Sequence, residues 1–304
     1  MIDSELDALV GMMRAGELDF AADPAATRKI FGDLTAIFPV ADDLVFAKHD
    51  LGAGNALKIT SPGVARDAAL LYFHGGAYVV GDAASFKGHI GELGRAAGVT
   101  AYSADYRLAP EHRFPAAVDD GVGAYRALLA QGLAPSRIVV AGDSAGGGLA
   151  MASLLAARDA GLPMPGAVFL ISPWVDLACA GASMKTKAAE DPSLTEHGLR
   201  VTAAHYLHGA SATLPLASPI HADLTGLPPL LIHVGSTEIL LDDAVRLAAA
   251  AGAAGVSVRL EIWPRMIHDW HVFGFMLGAG RRAVAQAGAF LADHLAPVAP
   301  GAEG

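Results

Sequence analysis

The sequence predicts an α/β fold, with a mostly parallel central sheet flanked by helices. Three observations lead there. Strand-like and helix-like apolar patterns alternate along most of the chain. The run ALLYFH at 69–74 is continuously apolar, as expected of a strand buried on both faces. The stretch VVAGDSAGGGLAMASLL at 139–155 passes from strand to helix across a glycine-lined hinge. Repeated β-α-β units make neighbouring strands parallel and place helices on both sides of the sheet.

The elements follow in order. Leu6, Leu9, Val10 and Met13 recur at helical spacing. Asp23 followed by Pro24 reads as a cap with proline in the first turn, and Ile30, Leu34 and Ile37 form the apolar stripe of that second helix, which Pro39 closes. LVFAKHD and ALKITS read as a strand pair joined by the turn Gly-Ala-Gly-Asn. After ALLYFH come a helix near 85–97, the strand VTAYSADY, and a helix from Pro115 with Val118, Val122, Tyr125 and Leu129 on one face. RIVVAG, the helix after Ser144, and GAVFLIS continue the alternation. LPPLLIHVG, a helix near 241–254, VSVRLEIW and a last helix near 280–295 complete it. Residues 179–215 carry no strand signal; Ser193-Leu-Thr-Glu196 reads as a capping box opening a helix that runs to Leu207 and ends at Gly209. We therefore expect one domain over 1–304, with a helical cap formed by about 1–40 and 179–215, and fraying after Pro297.

Composition narrows the function classes. Charged residues make up 17% of the 304 residues against 53% hydrophobic, which excludes a disordered chain. The formal charge is −10 and no run of Lys or Arg occurs, so neither nucleic acid nor an anionic membrane is an expected partner. The single cysteine, Cys179, excludes an internal disulfide and any Cys-based metal site, and reads as a small buried hydrophobe. The opening MIDSELDALV lacks a basic segment and an apolar core, and no uncharged apolar run reaches the length of a membrane span. A cytoplasmic protein is the expectation.

Gly142-Asp143-Ser144-Ala145-Gly146 is G-x-S-x-G between a strand and a helix, the setting of a nucleophile elbow. A packing turn with an incidental serine is the plainer alternative. In the functional reading the hydroxyl lies near a helix N-terminus, whose partial positive charge favours a developing anion. His74-Gly75-Gly76-Ala77-Tyr78 follows the buried strand. It reads either as a glycine turn or as an oxyanion hole built from the amides of Gly75 and Gly76, with Ala145 as third donor. His74 itself reads as a structural residue, since it precedes the serine and the expected chain order is serine, acid, histidine.

His268, in WPRMIHDWHVF after the strand VSVRLEIW, is the candidate base, and His271 is its rival. His205 and His208 stand one turn apart, but no third ligand accompanies them, so no metal is expected. The acid belongs between serine and histidine at another strand end. GSTEILLDD offers Glu238, Asp242 and Asp243. Glu238 comes first after the strand, whereas helix capping and dipole pairing account for the two aspartates. Tyr78, Trp174, Tyr206, Trp270 and Phe273 are candidate walls of an apolar substrate pocket, with plain core as the alternative for each.

HGGAY at 74–78, DYRLAPEHRFPAA at 105–117, GDSAGG at 142–147, SPWVDL at 172–177 and MIHDW at 266–270 together resemble the hormone-sensitive-lipase-like, bacterial type IV carboxylesterases of the α/β-hydrolases. The resemblance covers about 65–275. It implies a Ser-acid-His triad, an oxyanion hole of the Gly75, Gly76 and Ala145 amides, a helical cap, and cofactor-free hydrolysis of short- to medium-chain esters. It implies a structural DYRLAPEH stretch, with Arg107 pairing with Glu111 and Pro110 shaping the loop. Such relatives are often homodimers, although no interface signature is read here. Two departures stand out. Ala77 replaces the third glycine of the usual HGGG. Glu238-Ile-Leu-Leu-Asp242 stands where many relatives have D-P-L-R-D, leaving the acid between Glu238 and Asp242. The wording GSTEILLDD is similar to that of lactone hydrolases. The expected reaction is acyl transfer to Ser144 with His268 as base, then hydrolysis of the acyl-enzyme. Lactone, amide or carbamate hydrolysis would use the same residues. A non-catalytic receptor on the same scaffold is the rival from another class.

Overall fold

A computed structural model describes residues 2–52 and 54–297. The expected fraying after Pro297 lies outside the described residues, as does Ala53 of the first hairpin turn. Eight strands form one sheet in the order β1-β2-β4-β3-β5-β6-β7-β8. They are β1 (Val45–Asp50), β2 (Asn55–Thr60), β3 (Ala65–Phe73), β4 (Val99–Ala104), β5 (Ile138–Asp143), β6 (Ala167–Ile171), β7 (Leu230–Gly235) and β8 (Val258–Trp263). The β1–β2 hairpin and the β2–β4 pair are antiparallel; from β4 through β8 every pair is parallel.

The parallel strands need crossovers, and helices supply them. These are α3 (Lys87–Ala97), α4 (Ala116–Ala130), α5 (Ala145–Asp159) and α8 (Leu241–Ala253); α9 (Gly278–Asp293) closes the chain after β8. Adjacent residues of a strand point to opposite faces. On β3 the Tyr72 ring meets His89 of α3, while the Phe73 ring lies against Gly121 of α4. Helices therefore cover both faces of β3, and its residues 68–73 are buried throughout. β8 lies at the sheet edge, and its residues alternate between half-buried and exposed.

The remaining helices are α1 (Ile2–Ala15), α2 (Pro24–Ala36), α6 (Ser183–Thr186) and α7 (Glu196–Leu207). Asp23 caps α2 as expected, its carboxylate accepting from the amides of Ala25 and Ala26. Helix α7 starts later than the capping-box reading placed it. Its cap is Thr195, whose hydroxyl accepts from Gly198 N–H at 3.1 Å. The amides of Ser193 and Leu194 instead turn around Asp191 Oδ1, so the chain is still bending where the helix was expected to begin. The end matches: His208 is left-handed and Gly209 follows with positive φ.

A small second core ties α1 to the C-terminal loop. Leu6 and Leu9 pack with Met266, Ile267, Trp270 and Leu277. Glu5 accepts from Gly278 N–H at 2.9 Å, and Arg265 reaches Asp7 at 3.1 Å. The N-terminal helix thus clamps the loop that carries His268. No helix of the described residues is long and apolar enough to cross a membrane.

Candidate active site

Ser144 occupies the tip of the turn between β5 and α5 with φ 52 and ψ −121. This is costly backbone for a non-glycine residue, on the order of 1–3 kcal/mol. The surroundings hold it there. Ser144 N–H donates to Ile171 O at 2.8 Å, and its carbonyl accepts from Gly147, Gly148 and Trp174. The flanking glycines are required by contact: a Cβ on Gly142 would strike the Gly146 carbonyl, and one on Gly146 would strike the backbone of Phe73 and His74. Sequence and geometry agree on why G-x-S-x-G has this form.

Ser144 opens into a cavity of about 550 Å³, lined also by Gly76, Ala77, Asp143, His268 and Asp269. Apart from Glu17, Thr35 and Ser193 the remaining walls are apolar, and they come largely from α1, α2 and the segment around 192–199. The predicted Ile30-Leu34-Ile37 stripe lines this cavity instead of the core, with Leu34 and Ile37 exposed at its rim. The core face of α2 is Thr27, Phe31 and Thr35.

The carboxylate that meets His268 is Glu238. His268 Nδ1 lies 2.9 Å from Glu238 Oε2. Glu238 Oε1 accepts from Ser172 Oγ at 2.7 Å and from Gly235 N–H at 2.5 Å. Burial raises the Glu238 carboxyl above its ordinary value, against the pull of His268. The two aspartates are engaged elsewhere: Asp242 accepts from Ser183 N–H at 3.0 Å, and Asp243 from the amides of Val175 and Asp176 at 2.9 Å. His271 is also removed from the cavity. It is buried with Nε2 3.0 Å from His233 Nδ1, and burial holds it well below an ordinary histidine. His205 and His208 gain no third ligand, and among the described residues no cluster of His, Cys, Asp or Glu could hold a metal. Cys179 is buried, which pushes its thiol up to about 12.

The HGGAY loop runs through three successive positive φ values, at Gly76, Ala77 and Tyr78. Gly75 N–H donates to Asp143 Oδ2 at 2.9 Å, and Gly75 does not line the cavity. Gly76 and Ala77 do line it, and among the described residues neither amide has a partner; the same holds for the amide of Ala145. Asp143 is completed by Tyr72 O–H at 2.7 Å. His74 is buried, stacked on Tyr106 with centroids 4.3 Å apart, and Tyr106 O–H donates to its carbonyl at 2.7 Å.

Several expected contacts are replaced. Arg107 does not pair with Glu111: it pairs with Asp120 at 2.7 Å, and Glu111 pairs with Arg28 of α2 at 2.6 Å. Arg28 also donates to the carbonyls of Val79 and Ala109, so this ion pair fastens α2 to the two loops beside the site. Of the five candidate wall aromatics only Phe273 lines the cavity. Tyr78 and Tyr206 are buried and stacked at 4.0 Å, Trp174 is fully buried, and Trp270 belongs to the small core under α1. Large rings are best buried where flat neighbours exist, and here they have them. Sequence reasoning also missed Asp143 and Asp269, two carboxylates that line the cavity with Ser144 and His268. Both stand directly beside a residue already singled out, which was the available signal.

Comparison with known proteins places the fold. The family described as alpha/beta hydrolase fold matches residues 70–272. An acetyl-hydrolase of Streptomyces hygroscopicus is 54% identical over 73% of this chain and 74% of its own length. The putative acetyl-hydrolase LipR of Mycobacterium tuberculosis is 34% identical over 89% and 88%. Among solved structures, an esterase/lipase from an uncultured bacterium superposes with TM-score 0.92 at 45% identity, covering 96% of this chain and 99% of that one. An esterase of the bacterial hormone-sensitive lipase family gives 0.93 at 43%, with the same coverage. With its mostly parallel sheet, its serine elbow and these relatives, the chain belongs to the α/β-hydrolase-fold family, among the carboxylic ester hydrolases of bacterial hormone-sensitive-lipase type.

Proposed function

We propose that this protein is a serine carboxylesterase for short- to medium-chain acyl esters, working through Ser144, His268 and Glu238. The observation that carries the reading is the 2.9 Å contact between His268 Nδ1 and Glu238 Oε2, with His268 and Ser144 on the wall of one apolar cavity. Glu238 accepts a hydrogen bond from Nδ1–H and so leaves Nε2 to take the proton of Ser144. The serine oxygen attacks the ester carbonyl, the carbonyl oxygen becomes an oxyanion, and His268 passes the proton to the departing alcohol. His268 then takes a proton from water as it attacks the acyl carbon, and returns that proton to Ser144 Oγ as the acyl–serine bond breaks and the acid leaves.

The oxyanion falls to the unpartnered amides of Gly76, Ala77 and Ala145. Gly75, expected as a donor, instead fixes the loop through Asp143, because its N–H points to that carboxylate. Helices α1, α2 and α7 act as a cap over Ser144, and the apolar walls they supply receive the acyl chain. The name acetyl-hydrolase on two relatives supports acyl groups as small as acetyl.

The test is hydrolysis of p-nitrophenyl esters from acetate to octanoate by wild type and Ser144→Ala. We expect turnover on the shorter esters and a loss of several orders of magnitude in Ser144→Ala. Equal rates for the two proteins would sink the assignment.

A further inference from the structure

A carboxylate stands beside each ring nitrogen of His268. Beyond the Glu238 contact at Nδ1, its Nε2 lies 3.1 Å from Asp269 Oδ2. Proton counting makes this informative. A neutral imidazole has one N–H and one lone pair. With the N–H directed to Glu238, Nε2 is the unprotonated nitrogen and stands beside a carboxylate oxygen without the alignment of a hydrogen bond, so charge governs the contact. It becomes attractive when the ring takes a second proton and with it a positive charge. The arrangement therefore suits an imidazolium, and an imidazolium cannot take the proton of Ser144.

The backbone builds the contact deliberately. Asp269 is left-handed, with φ 53 and ψ 32, a conformation that aspartate tolerates better than most residues. Its N–H reaches Ser172 Oγ at 3.3 Å, the hydroxyl that donates to Glu238 Oε1. One serine thus ties the Glu238 carboxylate to the backbone of Asp269. Asp269 Oδ1 is buried without a hydrogen-bond partner among the described residues, so no second donor draws this carboxylate away.

We propose that Asp269 is a positioning residue that latches His268 away from Ser144 in the empty enzyme and sets the pH at which the base is released. The proposal rests on the reading of His268 as the base for Ser144. Around the imidazole stand Glu238 from the loop after β7, Asp269 from its own loop, and Asp143 from the end of β5, with Tyr72 of β3 bonded to Asp143. Among the described residues no lysine or arginine pairs with these three carboxylates. Burial opposes charge on His268, but Asp269 and Glu238 outweigh it and hold the ring well above an ordinary histidine. Such a base is idle until the pH passes its raised value. Activity then rises with pH, and removing Asp269 moves that rise to lower pH.

The experiment is the pH profile of kcat/KM for p-nitrophenyl butyrate in wild type, Asp269→Asn and Asp269→Ala, with Ser144→Ala and His268→Gln as blanks. A shift of about one unit makes the Asp269 variants about tenfold faster than wild type on the acid side, a gap that closes toward alkaline pH. Profiles that coincide, or variants slower at every pH, overturn the latch. Inactive blanks in the same series keep the esterase reading standing in that event; active blanks overturn the esterase reading itself. Should the variants not fold, a ¹⁵N titration of wild-type histidines decides, with His268 assigned by its absence in His268→Gln. An imidazolium at neutral pH is expected, and a neutral ring there refutes the latch.

Discussion

Replacing Glu238 by glutamine removes one charge and adds one N–H, and the structure says where the new N–H goes. Oε1 accepts from both Ser172 O–H and Gly235 N–H, so the glutamine carbonyl must take that side. Its NH₂ group is left facing His268 Nδ1, where Oε2 stood at 2.9 Å. Two donors cannot face each other, so the ring moves its proton to Nε2, and that atom can no longer receive the proton of Ser144. Wrong-tautomer variants of such triads lose about 10⁴ in kcat, or roughly 5.5 kcal/mol of transition-state stabilisation. Here we expect about 10³–10⁴ in kcat, with KM little changed. Folding should survive, because the buried carboxyl is already pushed toward its neutral form and glutamine is neutral. The assay is p-nitrophenyl butyrate turnover beside thermal unfolding, with Asp242→Asn as control, since Asp242 faces Ser183 instead. A folded Glu238→Gln enzyme within tenfold of wild type would refute the reasoning, as would a dead Asp242→Asn.

Leu6→Ala should cost about 2–4 kcal/mol locally, because Leu6 is 2% exposed between α1 and the His268 loop. Activity should fall at temperatures where circular dichroism still reports a folded sheet. Ile37→Ser should leave stability within about 0.5 kcal/mol, since Ile37 is 77% exposed, yet raise KM for octanoate more than for acetate, because Ile37 lines the cavity. Asp243 is buried and raised to about 7, so the form favoured by folding is the protonated one. Its contribution is full below the ordinary aspartate range and is lost as the pH rises through about 7. The melting temperature of Asp243→Asn relative to wild type should therefore climb between about pH 5 and pH 8; a constant difference across that range would count against it.

Much of the fold was legible because its signals are local. Each strand between 69 and 263 announced itself as a short apolar run, and each crossover helix as a stripe. The serine elbow was legible because its G-x-S-x-G pattern is local; the steric exclusion behind it is local at Gly142, which faces Gly146, while at Gly146 it comes from Phe73 and His74 on the neighbouring strand end. Glu238 was favoured over Asp242 and Asp243 by its place directly after β7, and that is the carboxylate found beside His268.

Contacts between segments distant in sequence were not legible. The ion pairs of the 105–117 stretch were misassigned because Arg107 and Glu111 are near each other in sequence while their partners, Asp120 and Arg28, lie in α4 and α2. The aromatic walls were misassigned because size and apolarity mark a ring for burial without saying whether it faces protein or substrate. The stripe of α2 misled in the opposite direction, since a face lining an empty cavity has the same spacing as one lining a core.

The sequence by itself determined the fold class, the strained serine turn and the residues capable of proton transfer, because backbone sterics and apolar periodicity act over short stretches of chain. Only the tertiary structure decided which amides remain free, which rings line the cavity, and that Asp269 shares His268 with Glu238. Those outcomes depend on which hydrogen-bond donor or packing partner stands nearest in space, and that is settled by the crossing of separate segments, as where Gly75 meets Asp143 and Glu238 meets His268.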